Sequence, residues 1–143
     1  MSGFVGTAST PDVRPVRAFL ELQHLALAGT FGAFAASNLA TRAEPASDDA
    51  ARVEARAILA RLGEAGWFEA IRRQDWRACC LARESLGASS PLADAVFALQ
   101  ALGTLPILLA GDARLRDAFA EPALAGRAMS AFAMTEPGAG SDA

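Results

Sequence analysis

The chain has 143 residues, enough for one domain with a moderate core, and its 13 basic and 16 acidic residues leave a net charge of −3. With a pI near 5.1 it lacks the basic footprint of a nucleic-acid binder, and a 52% apolar share with balanced charge excludes a disordered polymer. The basic residues are all Arg and are scattered; only Arg72 and Arg73 are adjacent, and a solvated helix end accounts for them as well as a phosphate contact would.

Cys79 and Cys80 are neighbours on a predicted helix and cannot pair with each other without strain, so a reducing cytoplasm is the expected setting. Met1-Ser2-Gly3-Phe4 lacks the basic region and apolar core of a secretion signal. The apolar run from Leu25 to Ala36 is broken by Gly29, Thr30 and Gly32 and falls short of the roughly 20 residues that span a bilayer. A buried helix is expected there, and no membrane span.

In chain order, residues 1–14 carry Gly, Ser, Thr and Pro without periodicity and read as a flexible leader. The first helix is predicted from about Val16 to Leu39. Its stripe Leu20, His24, Leu27, Phe31, Phe34 repeats at three- and four-residue steps, and Ala28, Gly32 and Ala36 form a small-residue seam. His24, the single histidine, falls on the stripe and reads as a packed residue rather than a catalytic one. Ser47 is the predicted N-cap of a second helix running to about Gly63, with Asp48 and Asp49 suited to the positive end of the helix dipole. Ala55, Ile58, Leu59 and Leu62 form its buried face, and Trp67-Phe68 beyond it are expected to plug the core.

A third helix is predicted over about Asp75 to Leu86 with Ala78, Leu81, Ala82 and Ser85 inward. Ser90 caps a fourth, where Pro91 sits at the first helical position and its missing N–H costs nothing. This helix is expected to place Leu92, Ala95, Val96, Leu99 and Leu102 on one face, with Phe97 and Gln100 pointing elsewhere, and to end in a turn over Gly103–Ile107. A last short helix from about Ala113 to Phe119 is opened by Asp112, closed by Glu121-Pro122, and followed through Gly126 by a short strand. The fold class is therefore all-α up to about residue 128, with a short strand and loop after it.

The final residues, Phe132-Ala133-Met134-Thr135-Glu136-Pro137-Gly138-Ala139-Gly140-Ser141-Asp142, read as a strand entering a tight loop whose glycines allow close backbone approach to a bound group. The run Thr135–Asp142 closely resembles the flavin-site signature of the acyl-CoA dehydrogenase family, matching without a gap, and the resemblance implies an up-and-down bundle-like helical domain over 15–128 with 129–143 as the start of a β-domain. Leu102-Gly103-Thr104-Leu105-Pro106-Ile107 upstream resembles that family's Leu-Gly-x-x-Pro-Ile stretch, at the expected distance. The segment Glu69–Trp76 departs from relatives that carry a Pro and paired glycines there, which bears on subfamily and substrate rather than on fold.

The resemblance implies α,β-dehydrogenation of an acyl-CoA thioester with FAD as cofactor: a carboxylate removes the α-proton and the β-hydrogen leaves as hydride. It implies that Phe132, Ala133, Met134, Thr135, Gly140 and Ser141 contact the flavin, that Ser141 also contacts the CoA part of the substrate, and that Gly138 and Gly140 let the loop pass close to both ligands. It places the Gly103–Ile107 stretch near the acyl pocket. It also implies an electron-transfer flavoprotein as acceptor, a homotetrameric parent, and a general base from a later helical domain, so that Glu136 is structural and these residues are an inactive N-terminal fragment. Alternatives that keep the resemblance are an acyl-CoA oxidase, a flavin-dependent monooxygenase, or a non-enzymatic helical interaction module.

Overall fold

The computed structural model describes residues 10–39 and 42–138, and no strand occurs among them. A 3-10 turn at Arg17–Phe19 precedes α1 (Leu22–Asn38), α2 (Asp48–Glu64), α3 (Glu69–Arg72), α4 (Trp76–Ser89) and α5 (Pro91–Ala110). The chain then runs through α6 (Ala113–Leu115), a π turn at Arg116–Ala120 and α7 (Glu121–Leu124).

Short polar side chains set the helix starts. Ser47, Asp75, Ser90 and Asp112 accept the N–H groups of Ala50, Ala78, Ala93 and Leu115 at 3.2, 3.0, 3.3 and 2.8 Å. Each satisfies a backbone donor that has no partner within its helix, a contribution of about 1 kcal/mol per cap. At the other ends, α2, α3 and α7 stop in one hydrogen-bonding pattern, with positive φ at Gly66 (75°), Gln74 (54°) and Gly126 (71°). The following residues Trp67, Asp75 and Arg127 donate back to the carbonyls of Leu62, Ala70 and Pro122, so the last carbonyls of each helix are used. Gln74 alone bears a side chain in this left-handed conformation, which costs about 1 kcal/mol or more.

The first helix begins later than the periodicity suggests. Glu21, extended at φ −86° and ψ 169°, starts α1 afresh after the 3-10 turn because its N–H is taken by the Nδ1 of His24. Since Nδ1 accepts there, the ring proton sits on Nε2 and is donated to the Asp75 carboxylate at 3.0 Å. Buried His24 thus joins the starts of α1 and α4, and Arg77 closes the joint from α4 by donating to the Phe19 carbonyl and the Glu21 carboxylate.

The core lies between α1, α4, α5 and α2. Phe31 and Phe34 meet Trp67 with ring centroids at 4.3 and 5.0 Å, and Phe68 lies on Phe97 at 5.8 Å. Ala28, Phe31, Ile58, Leu59, Leu62, Ala78, Leu81, Ala82 and Ser85 are buried as their spacing predicts. Within the small-residue seam, Gly32 faces Thr10 of the N-terminal segment, and Ala36 is exposed. Cys79 is buried and its thiol is pushed up to about 11, first by desolvation and then by the nearby Asp75 and Cys80; Cys80 is exposed, and both are free.

Three expectations about the C-terminal half are corrected. The fourth helix does not turn at Gly103–Ile107 but continues as α5 to Ala110, since the carbonyl deprived of a partner by Pro106 belongs to exposed Leu102 and is open to water. Its buried face is Ala93, Val96, Phe97, Gln100 and Thr104, while Leu99 and Leu102 are exposed. The last helix does not close at Glu121-Pro122: the π turn slips the register directly before Pro122, which has no N–H to give, and the helix resumes. Length and hydropathy would also allow α5 to cross a membrane. In this fold, however, it packs on α2 and α4, and its Asp94 pairs with Arg83 of α4 at 2.7 Å.

Two outcomes follow for stability. Gln74→Gly should raise the melting temperature by a few degrees, about 0.5–1 kcal/mol, whereas Gly126→Ala should lower it. A Cβ there meets both the positive φ and the Leu59 carbonyl at 2.6 Å. Thermal unfolding of the two variants checks both signs.

Asp75 titrates below its ordinary value: partial burial opposes the shift, but the Ala78 N–H, His24 and Arg77 outweigh it. A carboxylate depressed in the folded state contributes stability that is present above its unfolded value of about 3.9 and is lost as pH falls through the folded value. Asp75→Asn should therefore flatten the acid limb of stability below about pH 4. An unchanged slope in denaturant titrations at pH 3 to 5 would show that the joint carries no such linkage.

Candidate functional site

An amide in the middle of an apolar helix needs partners, since each buried group left unsatisfied costs about 1–3 kcal/mol. Gln100 is completely buried on α5 and finds them all in α7 and the segment after it. Its Nε2 donates to the carbonyls of Ala123 and Ala128, both at 2.9 Å. Its Oε1 accepts the Ser130 N–H at 2.6 Å and the Ser130 hydroxyl at 2.9 Å. One turn further along α5, the hydroxyl of buried Thr104 lies 3.2 Å from the Ser130 hydroxyl.

Two glycines make this approach possible. At Gly103, a Cβ would stand 2.7 Å from the Ala131 nitrogen and 2.8 Å from its carbonyl oxygen, so the tail crosses α5 where no side chain exists. The Gly126 turn rests on α2, and a Cβ on Gly63 of that helix would stand 2.5 Å from the Ala125 carbonyl. On the outer side, the Arg72 guanidinium on α3 grips the Glu121 carboxylate of α7 with both nitrogens, holding Glu121 below the usual carboxylate range.

Beyond Ser130 the chain leaves the bundle. Ala131 through Gly138 are all exposed, with Phe132 and Met134 more than half accessible. Among the described residues, no atom accepts from the N–H groups of Ala131–Glu136. The predicted strand is absent from this stretch, because a strand needs a neighbouring strand to pair its backbone. Of the sequence-predicted site residues, Phe132, Ala133, Met134 and Thr135 stand together on this exposed segment. Gly140 and Ser141 lie outside the described residues. The helical stretch Gly103–Ile107 touches the tail through Gly103 and Thr104.

Half-exposed Phe132 and Met134 beside a row of free backbone donors fit one wall of a flat ligand that is apolar on its faces and rich in acceptors along an edge. An isoalloxazine has that chemistry. Glu136 is exposed in the turn before Pro137. The Gln100–Thr104–Ser130 joint has a sequence signal in a lone amide followed one turn later by a hydroxyl within an otherwise apolar helix. The identity of its partner, some thirty residues away, does not.

No protein-family model matches the chain. Comparison with curated proteins finds similarity to benzylmalonyl-CoA dehydrogenase of Aromatoleum aromaticum, 34% identical over 125 residues. The match covers 82% of this chain and 33% of that protein, so the chain spans about a third of the length of the relative. The likeness is to a protein of the acyl-CoA dehydrogenase type.

Gly103→Ala sets two effects against each other. Helix propensity favours Ala by about 1 kcal/mol, but the new methyl must displace backbone rather than a flexible side-chain tip, at about 1–3 kcal/mol. The tail should yield while the helices persist. Limited trypsin digestion should cut after exposed Arg127 severalfold faster in the variant, with helical circular dichroism unchanged; equal cleavage would mean that the crossing is looser than described.

Proposed function

We propose that this chain is the N-terminal helical part of a flavin-dependent acyl-CoA dehydrogenase, and that its tail supplies one wall of the flavin site. The observation that carries the reading is the Thr135–Asp142 signature in the sequence, entered by a segment, Ala131–Gly138, that the bundle holds at Ser130 and then presents outward, with no acceptor among the described residues for its backbone donors up to Glu136. The likeness to a CoA-ester dehydrogenase supports it.

In this reading FAD is the cofactor and supplies the hydride acceptor. The N–H groups of Met134 and Thr135 and the Thr135 hydroxyl would hold the polar edge of the ring, and donors to a charged site are worth about 1.5–3 kcal/mol each. Phe132 and Met134 cover the ring and exclude water; Ala133, Gly140 and Ser141 complete the wall, and Ser141 also holds the CoA part of the acyl-CoA substrate. Glu136 is assigned no proton transfer, and the α-proton base comes from the remainder of the longer protein. That protein is a cytoplasmic homotetramer that passes electrons to an electron-transfer flavoprotein.

The chain by itself offers one wall of the site and no base. Mixed with excess FAD and desalted, it should emerge colourless, whereas the full-length protein should emerge yellow and reduce a dye with an acyl-CoA. Flavin-free full-length protein that cannot be reconstituted would overturn the reading, and rapid consumption of oxygen without a dye would reassign it to an oxidase or monooxygenase. In the full-length protein, Thr135→Val should weaken flavin retention about tenfold or lower the reduction potential. Unchanged retention and potential would show that the hydroxyl points away from the ring.

A further inference from the structure

We propose that Gln100 is a positioning residue for the flavin wall, its amide fixing which residue of the tail lies over α5 and hence where Phe132 to Thr135 stand. The inference rests on the flavin reading given above and adds to it a residue outside the signature.

The geometry has the character of a register lock. Four hydrogen bonds run from one fully buried side chain to three points on a distant segment: the carbonyls of Ala123 and Ala128, and the N–H and hydroxyl of Ser130. In chain order the segment offers two carbonyls to Nε2 and then an N–H and a hydroxyl to Oε1, so a slip of one residue would break the match of donors to acceptors. Ser130 adds a contact to Thr104 and another to the Gln100 carbonyl at 3.2 Å, so the lock engages α5 at successive turns. Gly103 admits the tail at the same level.

Past Ser130, no described residue hydrogen-bonds the tail backbone as far as Glu136, and the lock is the last polar attachment before the proposed wall. Two residues of chain reach at most about 7 Å, so Phe132 stays close to the Ser130 anchor, and Thr135 lies three residues further on. The bundle therefore places the wall through a side chain that touches no ligand itself. Loss of the amide would free the tail to sample other positions, and the flavin would have to pay for ordering it on each binding event.

The test uses the full-length protein and compares wild type with Gln100→Ala, Ser130→Ala and a control, Leu81→Ala, that opens a cavity in α4 away from the tail. Measured are the melting temperature, the rate at which bound flavin is lost to a flavin-binding trap, and the reduction potential of the bound flavin. Gln100→Ala should release flavin about tenfold faster than wild type and shift the potential, whereas Leu81→Ala should lower the melting temperature at least as much with release and potential near wild type. Ser130→Ala keeps the N–H contact and should fall between, at about threefold faster release; if Gln100→Ala does not fold, this variant decides. Wild-type protein that holds no flavin overturns the functional reading together with the role built on it. Flavin-bound wild type with Gln100→Ala, or failing that Ser130→Ala, no faster in release than the control overturns the positioning role alone.

Discussion

The C-terminal half of this fold depends on one buried amide. Gln100 sits in a helix whose neighbours are Phe97, Val96 and Thr104, out of reach of water, and its desolvation is tolerable only because Ala123, Ala128 and Ser130 meet every hydrogen-bonding need. That requirement turns α5 so that Leu99 and Leu102 face outward, and it obliges the chain after α7 to return across the helix. The missing side chain at Gly103 follows from the same demand, since the tail must come within hydrogen-bonding reach of α5 and no Cβ fits in the gap, while the Gly126 turn packs as closely against α2. The amide thus couples the packing of the bundle to the position of the segment with functional interest.

A second polar device, between α1 and α4, has a different task. His24 and Asp75 join the starts of α1 and α4 through a neutral imidazole whose tautomer is dictated by the Glu21 N–H. Both devices place a buried polar group where it cross-links elements far apart in sequence, and both are fully partnered, which is the condition under which such groups specify a fold rather than weaken it. The aromatic cluster, Phe31, Phe34 and Trp67 with Phe68 on Phe97, supplies the apolar mass.

Much of this was legible in the sequence, and the failures share a physical cause. Ser47, Ser90 and Asp112 announced their helices because capping is a local interaction, and the stripes on α2 and α4 declared their buried faces because polar residues mark the opposite sides. In α5 that contrast vanishes: the helix is apolar nearly all round, so its phase is set by tertiary partners, and neither Gln100 nor Phe97 could be oriented from spacing. The helix also ran on through Gly103 and Pro106, where local propensity reads a break. Gln74, in a left-handed conformation usually left to Gly, was invisible for the same reason, as tertiary packing overrides local preference. For the proposed site, Phe132 to Thr135 rest on resemblance alone, and of the Gln100 joint the sequence signals only the amide and hydroxyl on α5, not their distant partner.

The claim that the joint pins the tail is tested most directly by residue-resolved amide hydrogen exchange on the chain itself. A Ser130 N–H buried against Gln100 should exchange far more slowly than those of Phe132, Ala133 and Met134, which have no described acceptor. Protection at Ser130 with rapid exchange beginning at Ala131 is the predicted profile. Exchange at Ser130 as fast as at Phe132 would show that the tail is not held by Gln100 and would contradict the account.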